Sequence, residues 1–140
     1  MRKNALFLLQ YVKRHPKLVH LRQYPFGVGL LILGLNGFFK FLPLPEKMDF
    51  AKVFMQTLHD SGYMMPTIAC IQLFSGMALL LNRYKTLGLL LLAPVSFNIF
   101  FFHLFHDRAA LLPATAILLL NAFFLAKTGF FKQILQGDNQ

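Results

Sequence analysis

Histidine, asparagine and aspartate side chains interrupt one long apolar run in this sequence. The stretch NIFFFHLFHD, residues 98–107, contains Asn98, His103, His106 and Asp107 among phenylalanine, isoleucine and leucine. Amide and imidazole groups donate and accept hydrogen bonds, and imidazole also binds metals, so the stretch is a candidate binding site. His103 and Asp107 are four residues apart, a spacing that brings two side chains together on one face of a helix.

Further polar residues lie inside other apolar stretches at a comparable depth. With a rise of 1.5 Å per residue from the middle of each stretch, Asn36, Gln72 and Asn98 fall within about 5 Å of a common midplane. Lys40 and His103 then lie roughly 10 Å to one side of that plane. Buried polar groups in apolar helices tend to line a cavity. We therefore predict a ligand-binding pocket lined by Asn36, Lys40, Gln72, Asn98 and His103, and we assign no metal ligand.

Each of these residues also has a simpler interpretation. His106 is expected to mark the end of its helix, in contact with water and headgroups, and His103 with Asp107 then forms a helix-end pair. Lys40 can extend its ammonium to the surface along its aliphatic stem. The amides of Asn36, Gln72 and Asn98 can bond to one another across helices, as amides in membrane proteins often do.

The elements that position these residues are predicted to be membrane-spanning helices. Hydrophobic residues make up 56% of the chain, and the mean hydropathy is +0.55. Residues 23–39, 61–82, 86–106 and 109–126 contain no charged residue. A helix needs about 20 mostly apolar residues to cross a bilayer. The sequence predicts an all-α integral membrane protein, a four-helix bundle with spans near 26–42, 64–81, 86–106 and 109–126.

The charge distribution predicts how this bundle is oriented. The net charge is +9, but the basic residues are separated by side, which favours a membrane over nucleic acid as the partner. Ten of them precede the first span, join the second to the third or follow the fourth, and the other joints hold four. Basic residues accumulate on the cytoplasmic side. We expect both termini in the cytoplasm and a multi-pass protein of the cell inner (plasma) membrane.

Two flanking segments and one loop complete the predicted organisation of a membrane domain at 23–127. Residues 1–22 form a basic amphipathic segment, expected at the cytoplasmic surface on anionic lipid. The loop after the first span has Phe50, Val53, Phe54 and Leu58 at helical spacing, which predicts a short outer amphipathic helix that ends at Gly62. Residues 128–140 are predicted to be a cytoplasmic tail.

Several kinds of chemistry are disfavoured by the composition. Cys70 is the single cysteine, so the chain has no internal disulfide and no CxxC redox pair. No aspartate or glutamate lies within a predicted span, which disfavours a proton-coupled transporter. Methionine and histidine on the outer side suit copper, but the spacing of Met48 and Met55 is explained by interfacial packing. His103 and His106 on one helix cannot bind one haem iron from opposite faces. No intrinsic cofactor is expected.

Two runs of the sequence resemble the DoxX family. GVGLLILGLNGFFK, residues 27–40, is similar to its glycine-rich first span ending in lysine, and APVSFNIFFFH, residues 93–103, to its third span. The likeness extends over residues 26–108, with the GY-x-x-P entry to the second span and the NRY joint after it. The resemblance implies a four-helix membrane protein, and some DoxX relatives are linked to membrane oxidoreductases that feed quinone. Lys40, Asn98 and His103 match recurrent polar positions of that family.

Two functions are consistent with these features. The first is a small subunit or partner of a membrane oxidoreductase, with an apolar, quinone-like ligand in the outer half of the bundle, where a redox enzyme would supply the cofactor. Such a site requires an apolar slot with a few hydrogen-bond donors. The alternative is a non-catalytic membrane scaffold or assembly factor for a partner protein, in which the polar residues hold the helices in register.

Overall fold

The computed structural model describes residues 16–42 and 49–137, and these residues form helices without a strand. In chain order the elements are α1 (Pro16–Phe39), α2 (Asp49–Asp60), α3 (Met64–Leu80), α4 (Lys85–His106), a 3-10 turn (Arg108–Ala110), α5 (Leu111–Lys127) and α6 (Phe130–Gly137). The predicted all-α class is confirmed.

Two of the segments are long and apolar enough to cross a membrane, namely α4 and the segment Arg108–Lys127. The segments Phe50–Asp60 and Met64–Leu80 meet at 86° and provide a third if this bent pair forms one span. Helix α1 is long enough to cross a membrane, but its described residues are on average less hydrophobic than those of the two segments above. Its apolar stretch is interrupted by Arg22, Gln23 and Asn36. Length and composition thus indicate a membrane protein with two or three crossing segments.

The second, third and fourth predicted spans correspond to helices with nearly the same bounds. The first differs, because α1 begins at Pro16, within the segment that the sequence analysis separated from the span. Proline is favoured in the first turn of a helix, where its missing N–H has no partner to lose. Residues 1–15 of the predicted interfacial segment lie outside the described residues.

Helix α1 ends because Lys40 takes a left-handed conformation, with φ of 49°. The N–H of Lys40 donates to the carbonyl of Asn36 at 2.9 Å. The side chain of Asn36 accepts from the N–H of Leu42 at 2.7 Å. Both contacts satisfy backbone groups that a helix end would leave unpaired. The first span was predicted to reach Leu42, and this Asn36–Lys40 arrangement ends the helix at Phe39.

Glycines bring α1 and α3 into close antiparallel contact. A Cβ atom added at Gly76 would lie 2.7 Å from the carbonyl oxygen of Gly27. One added at Gly34 would lie 2.7 Å from Cγ of Leu73. Both distances are shorter than real Cβ contacts, so side chains at these positions would separate the helices. Glycine at these positions is therefore what permits the close approach of α1 and α3.

The other long helices also pack antiparallel to their neighbours in the chain. Gly88 of α4 faces Ser75 of α3, and Ser96 of α4 bonds to Asn121 of α5. The helices therefore present two sets of ends. We call one the basic end, which carries Arg22, Arg83, Lys85 and Lys127. We call the other the mixed end, which carries Lys40, Asp60, Asp107 and Arg108.

The buried apolar core lies in the half of the molecule near the basic end. Each of the four long helices contributes to it, and the rings of Phe26 and Phe124 stack with their centroids 5.8 Å apart. Its members are Phe26, Leu30, Leu79, Leu89, Leu92, Phe124 and Leu125. Towards the mixed end, large apolar side chains such as Phe105 are exposed. Large apolar side chains such as Leu81 are exposed near the basic end as well, and the buried apolar residues towards the mixed end are the small Ala51, Ala69 and Ala114.

The two short helices lie at opposite ends of the molecule. α2 lies at the mixed end, where the Phe54 ring is 5.2 Å from that of Phe102, and Gly62 follows the helix with φ of 77°. The predicted helix in the loop and its end before Gly62 are both observed. α6 lies at the basic end, where Phe130 packs against the core. The sequence analysis predicted only a tail for residues 128–140 and missed this helix.

Candidate functional site

His103 lies in the last turn of α4, where Asp107, the residue after the helix, holds its ring. Its Nδ1 is 3.0 Å from the backbone oxygen of Asp107 and 3.6 Å from the carboxylate Oδ2 of the same residue. The side chains of His103 and Asp107 are 15% and 5% exposed, so the pair is largely shielded from solvent. A neutral imidazole that donates from Nδ1 keeps the lone pair of Nε2 as an acceptor. His103 is thereby oriented by one nitrogen and can bind through the other.

Asp107 has a structural reason for being buried. Its Oδ1 accepts from the N–H of Ala109 at 3.3 Å and so caps the 3-10 turn that follows. The same residue therefore orients His103 and begins the connection to α5. The i, i+4 spacing of His103 and Asp107 indicated their pairing in the sequence, and the structure confirms it.

Lys40 is bonded to a histidine that the sequence analysis did not include in the pocket. Its Nζ is 2.9 Å from Nε2 of His59, the next-to-last residue of α2. His59 Nδ1 lies 3.7 Å from a carboxylate oxygen of Asp60. Because Lys40 donates, Nε2 of His59 must accept, which leaves its proton on Nδ1, facing Asp60. This chain of Lys40, His59 and Asp60 is exposed at the mixed end.

The three predicted amides occupy different environments. Asn36 is committed to Leu42 at the end of α1, and Asn98 is exposed and donates from Nδ2 to the carbonyl of its own helix at Pro94, at 2.8 Å. Gln72 is buried at the centre of α3, and no hydrogen bond joins its amide to another described residue.

Within the described residues, no side-chain hydrogen bond joins two members of the predicted pocket, which were Asn36, Lys40, Gln72, Asn98 and His103. An open groove on α2 is lined by Lys52, Val53, Gln56 and Thr57, none of which was a predicted pocket residue. The convergence of those five residues on one ligand stays a prediction.

His106 faces the surface and packs against α2. It is exposed, and its ring centroid is 4.3 Å from that of Phe50. The predicted difference between His103 and His106 is thus visible in their surroundings, because one ring is shielded and tied to Asp107 and the other is exposed.

A second group of polar side chains, in the half near the basic end, ties neighbouring helices together. The Ser75 hydroxyl donates to the carbonyl of Gly88 at 2.8 Å and thereby links α3 to α4. Gln23 donates from Nε2 to the carbonyl of Leu79 at 2.9 Å and to Oδ1 of Asn82 at 3.3 Å, which links α1 to the end of α3. These side chains are buried, so each bond replaces one that water cannot provide.

Asn121 is the most connected member of this group. In the amide orientation that satisfies both of its ends, it donates to the carbonyl of Leu89 at 3.1 Å and accepts from the N–H of Ala93 at 3.2 Å and the hydroxyl of Ser96 at 3.1 Å. A regular helix would pair Leu89 with Ala93 directly. Asn121 therefore braces α4 immediately before Pro94, which removes a backbone donor from the helix and favours a kink.

The sequence analysis had assigned no role to these tying residues. Asn121 could have been found, because it is a lone amide in an apolar helix, where a partner on another helix is the usual arrangement. Ser75 and Ser96 have weaker signals, since a serine in a membrane helix can bond to its own backbone instead. Gln23 lay outside the predicted first span.

The described residues provide little for metal or thiol chemistry. Across residues 16–42 and 49–137, no group of three or more histidine, cysteine, aspartate or glutamate side chains is arranged to hold a metal ion. Cys70 is a free thiol on the exposed side of α3. The candidate site is therefore best described by its hydrogen-bonding groups, among which the largely shielded pair of His103 and Asp107 is held at the end of α4.

Comparison of the sequence with protein-family models gives no match, and comparisons with curated proteins and with solved structures give none either.

Proposed function

We propose that the chain is a four-span bundle of α1, α3, α4 and α5 in the inner (plasma) membrane of the cell. Both termini then lie on the cytoplasmic side. The composition of α4 and of Arg108–Lys127 supports two spans directly. α1 packs along α3 through Gly27, Gly34 and Gly37, so a bilayer that surrounds one of these helices also surrounds the other. The ten-to-four distribution of basic residues supports the orientation.

The bundle's proposed function is to hold an apolar, quinone-like ligand in the half near the mixed end. The observation that carries this proposal is His103, whose ring is shielded and fixed through Nδ1 while Nε2 has no bond to another described residue. A neutral imidazole fixed in this way accepts from the hydroxyl of the quinol form through Nε2, and it donates to a quinone carbonyl only when both ring nitrogens carry protons. The core lies in the other half, so a ligand near His103 would not have to displace it.

A redox partner is part of the same proposal. The motifs that resemble the DoxX family, at residues 27–40 and 93–103, are the support for it, since relatives in that family are linked to membrane oxidoreductases. No comparison assigns this chain to that family, and the resemblance contributes only as a motif likeness. The partner would bring the redox cofactor, and the chain would position the ligand.

A non-catalytic scaffold or assembly factor is the second candidate. Its support is the set of interhelical bonds from Gln23, Ser75 and Asn121, which shows that much of the buried polar chemistry ties helices together. A scaffold needs such a bundle and needs no ring nitrogen left open for a ligand. The two candidates differ in whether purified protein binds quinone.

Reporter fusions and ligand titration test the proposal in two steps. Reporters placed after Gln140 and within α2 are expected on opposite sides of the membrane, and reporters on the same side would contradict the four-span arrangement. Purified protein in detergent is then titrated with a short-chain ubiquinone, with intrinsic fluorescence or calorimetry as the readout. Saturable binding supports the ligand proposal, and its absence together with co-purification of a membrane partner supports the scaffold.

A further inference from the structure

The helix at the basic end, α6, has an apolar face that the described part of the protein does not cover. It begins directly after Gly129, and the Thr128 hydroxyl at this joint donates to the carbonyl of Leu125 at 2.7 Å and lies 3.3 Å from the N–H of Phe130, which donates to it. Phe130 packs against the core, so the helix is held at the end of the molecule. Phe131 and Ile134 are 52% and 56% exposed.

The polar residues of α6 lie on its other face. At 100° per residue, Phe131 and Ile134 project within one third of the helix circumference, and Lys132 and Gln133 project on the opposite side. Such a two-faced helix is typical of segments that lie in the plane of a membrane surface, with the apolar side in the acyl boundary and the basic side at the headgroups.

The charges around α6 indicate which lipid it would meet. Arg22, Arg83, Lys85 and Lys127 lie at the same end. The described acidic residues Asp49, Asp60 and Asp107 all lie at the mixed end. A lipid leaflet with anionic headgroups complements such a surface, at about 1 kcal/mol for each basic residue near it.

We propose that α6 is an interfacial helix that docks on an anionic lipid leaflet, with Phe131 and Ile134 in the acyl boundary and Lys127 and Lys132 at the headgroups. The inference rests on α5 crossing the bilayer and is independent of any ligand at His103. The sequence alone had indicated lipid contact only for the N-terminal segment, and the inference adds α6 as a second lipid contact at the basic end.

The test uses the full-length protein in vesicles. With Cys70→Ser as background, Phe131→Cys and Gln133→Cys each carry an environment-sensitive fluorophore, and the vesicles contain phosphatidylcholine alone or with added phosphatidylglycerol. Quenching by a lipid that carries its spin label on the acyl chain, just below the headgroup, is expected to be several-fold stronger for the Phe131 position than for the Gln133 position. Phosphatidylglycerol is expected to increase the quenching at the Phe131 position.

Charge variants separate lipid docking from simple proximity. Lys127→Gln with Lys132→Gln is expected to weaken docking, by roughly fivefold in the docking equilibrium constant for each lysine removed, and so to raise the phosphatidylglycerol content needed for half-maximal quenching. The matched control, Lys40→Gln with Lys52→Gln at the mixed end, is expected to leave it unchanged. Equal quenching at both positions, or quenching that does not depend on phosphatidylglycerol, overturns the proposal, because another part of the chain or a protein then covers α6. Loss of the protein from vesicles in alkaline extraction would instead contradict the membrane-spanning arrangement.

Discussion

The half of the molecule near the basic end and the half near the mixed end use polar side chains in different ways. Near the basic end, Gln23, Ser75 and Asn121 are buried and each bonds to a neighbouring helix. Towards the mixed end, Asn98 and His103 bond to their own helix or its immediate continuation, and Lys40 reaches α2 at the surface. One half therefore joins its long helices through buried polar groups, and in the other the bond between helices, from Lys40 to α2, lies at the surface.

This difference separates structural polar residues from candidate binding residues. A buried amide with donor and acceptor both occupied has no capacity left for a ligand, and its loss leaves backbone partners unpaired. A shielded imidazole fixed by one nitrogen retains a second nitrogen for binding. Substitutions near the basic end should therefore lower stability most, and substitutions near His103 should lower ligand binding more than stability.

The largest effect is expected where α1 and α3 touch. Gly76→Leu should abolish accumulation of folded protein, because even the first carbon of the new side chain would lie 2.7 Å from the Gly27 carbonyl. Overpacking commonly costs about 1–3 kcal/mol, and a backbone obstacle that cannot rotate away raises that cost. Gly29→Leu on the same helix pair is the control, since a Cβ there meets nothing within 4 Å. Fluorescence-detected size exclusion of both variants makes the comparison, and equal monodisperse peaks would contradict the close contact.

Asn121→Leu is expected to have the next largest effect. Leucine has the same branching at Cγ but cannot bond to Leu89, Ala93 or Ser96, and one lost buried hydrogen bond costs about 1–3 kcal/mol. Asn98→Leu is the matched change in the other half, where the exposed amide bonds only to its own helix. Thermal unfolding in detergent should show a clearly larger decrease for Asn121→Leu. Similar decreases would mean that the two halves do not differ as described.

Much of this arrangement could be predicted from the sequence, for a physical reason. Charge-free stretches of bilayer length set the bounds of α3, α4 and α5, because a charge inside a span is costly. The end of α1 could not be predicted as well, since it depends on Lys40 adopting a left-handed conformation that a lysine rarely takes. The hydrogen-bond partners of the polar side chains were hardest to predict. Hydropathy gives the depth of a residue along a helix and does not give the direction in which its side chain projects.

The candidate site shows this limit clearly. Depth correctly separated His103 from His106, and the i, i+4 spacing identified Asp107 as its partner. Depth alone could not show that Lys40 meets His59, because α2 folds back at the mixed end through contacts such as Phe50 with His106. The partners of Asn121 on α4 are 25 to 32 positions away in the sequence and depend on how α4 and α5 pack.

Within the mixed end, His103→Phe should impair function far more than His106→Phe. Both changes keep an aromatic ring, so packing changes little, and a phenylalanine at 106 can still stack on Phe50. His103→Phe removes the bond to Asp107 and the free nitrogen. Quinone titration of the purified variants, together with complementation of a deletion strain at matched membrane levels, measures the difference. A larger effect at His106 would place the ligand on the α2 side of the helix end.

The smallest effect on stability is expected from Lys40→Met. The Lys40–His59 contact is exposed, and exposed polar pairs contribute about 0–1 kcal/mol, so the unfolding temperature should barely change. Ligand affinity is a separate measurement, because His59 holds the Lys40 ammonium at the surface and competes with a quinone for its position. If Lys40 does so, Lys40→Met weakens binding, whereas His59→Phe preserves or strengthens it by removing the competing acceptor. Titration of both variants beside Lys52→Met, another exposed lysine of the mixed end, gives the comparison. Weaker binding in His59→Phe than in Lys40→Met would mean that His59 contacts the ligand. Lys40 would then only hold His59 in place and would not belong to the pocket.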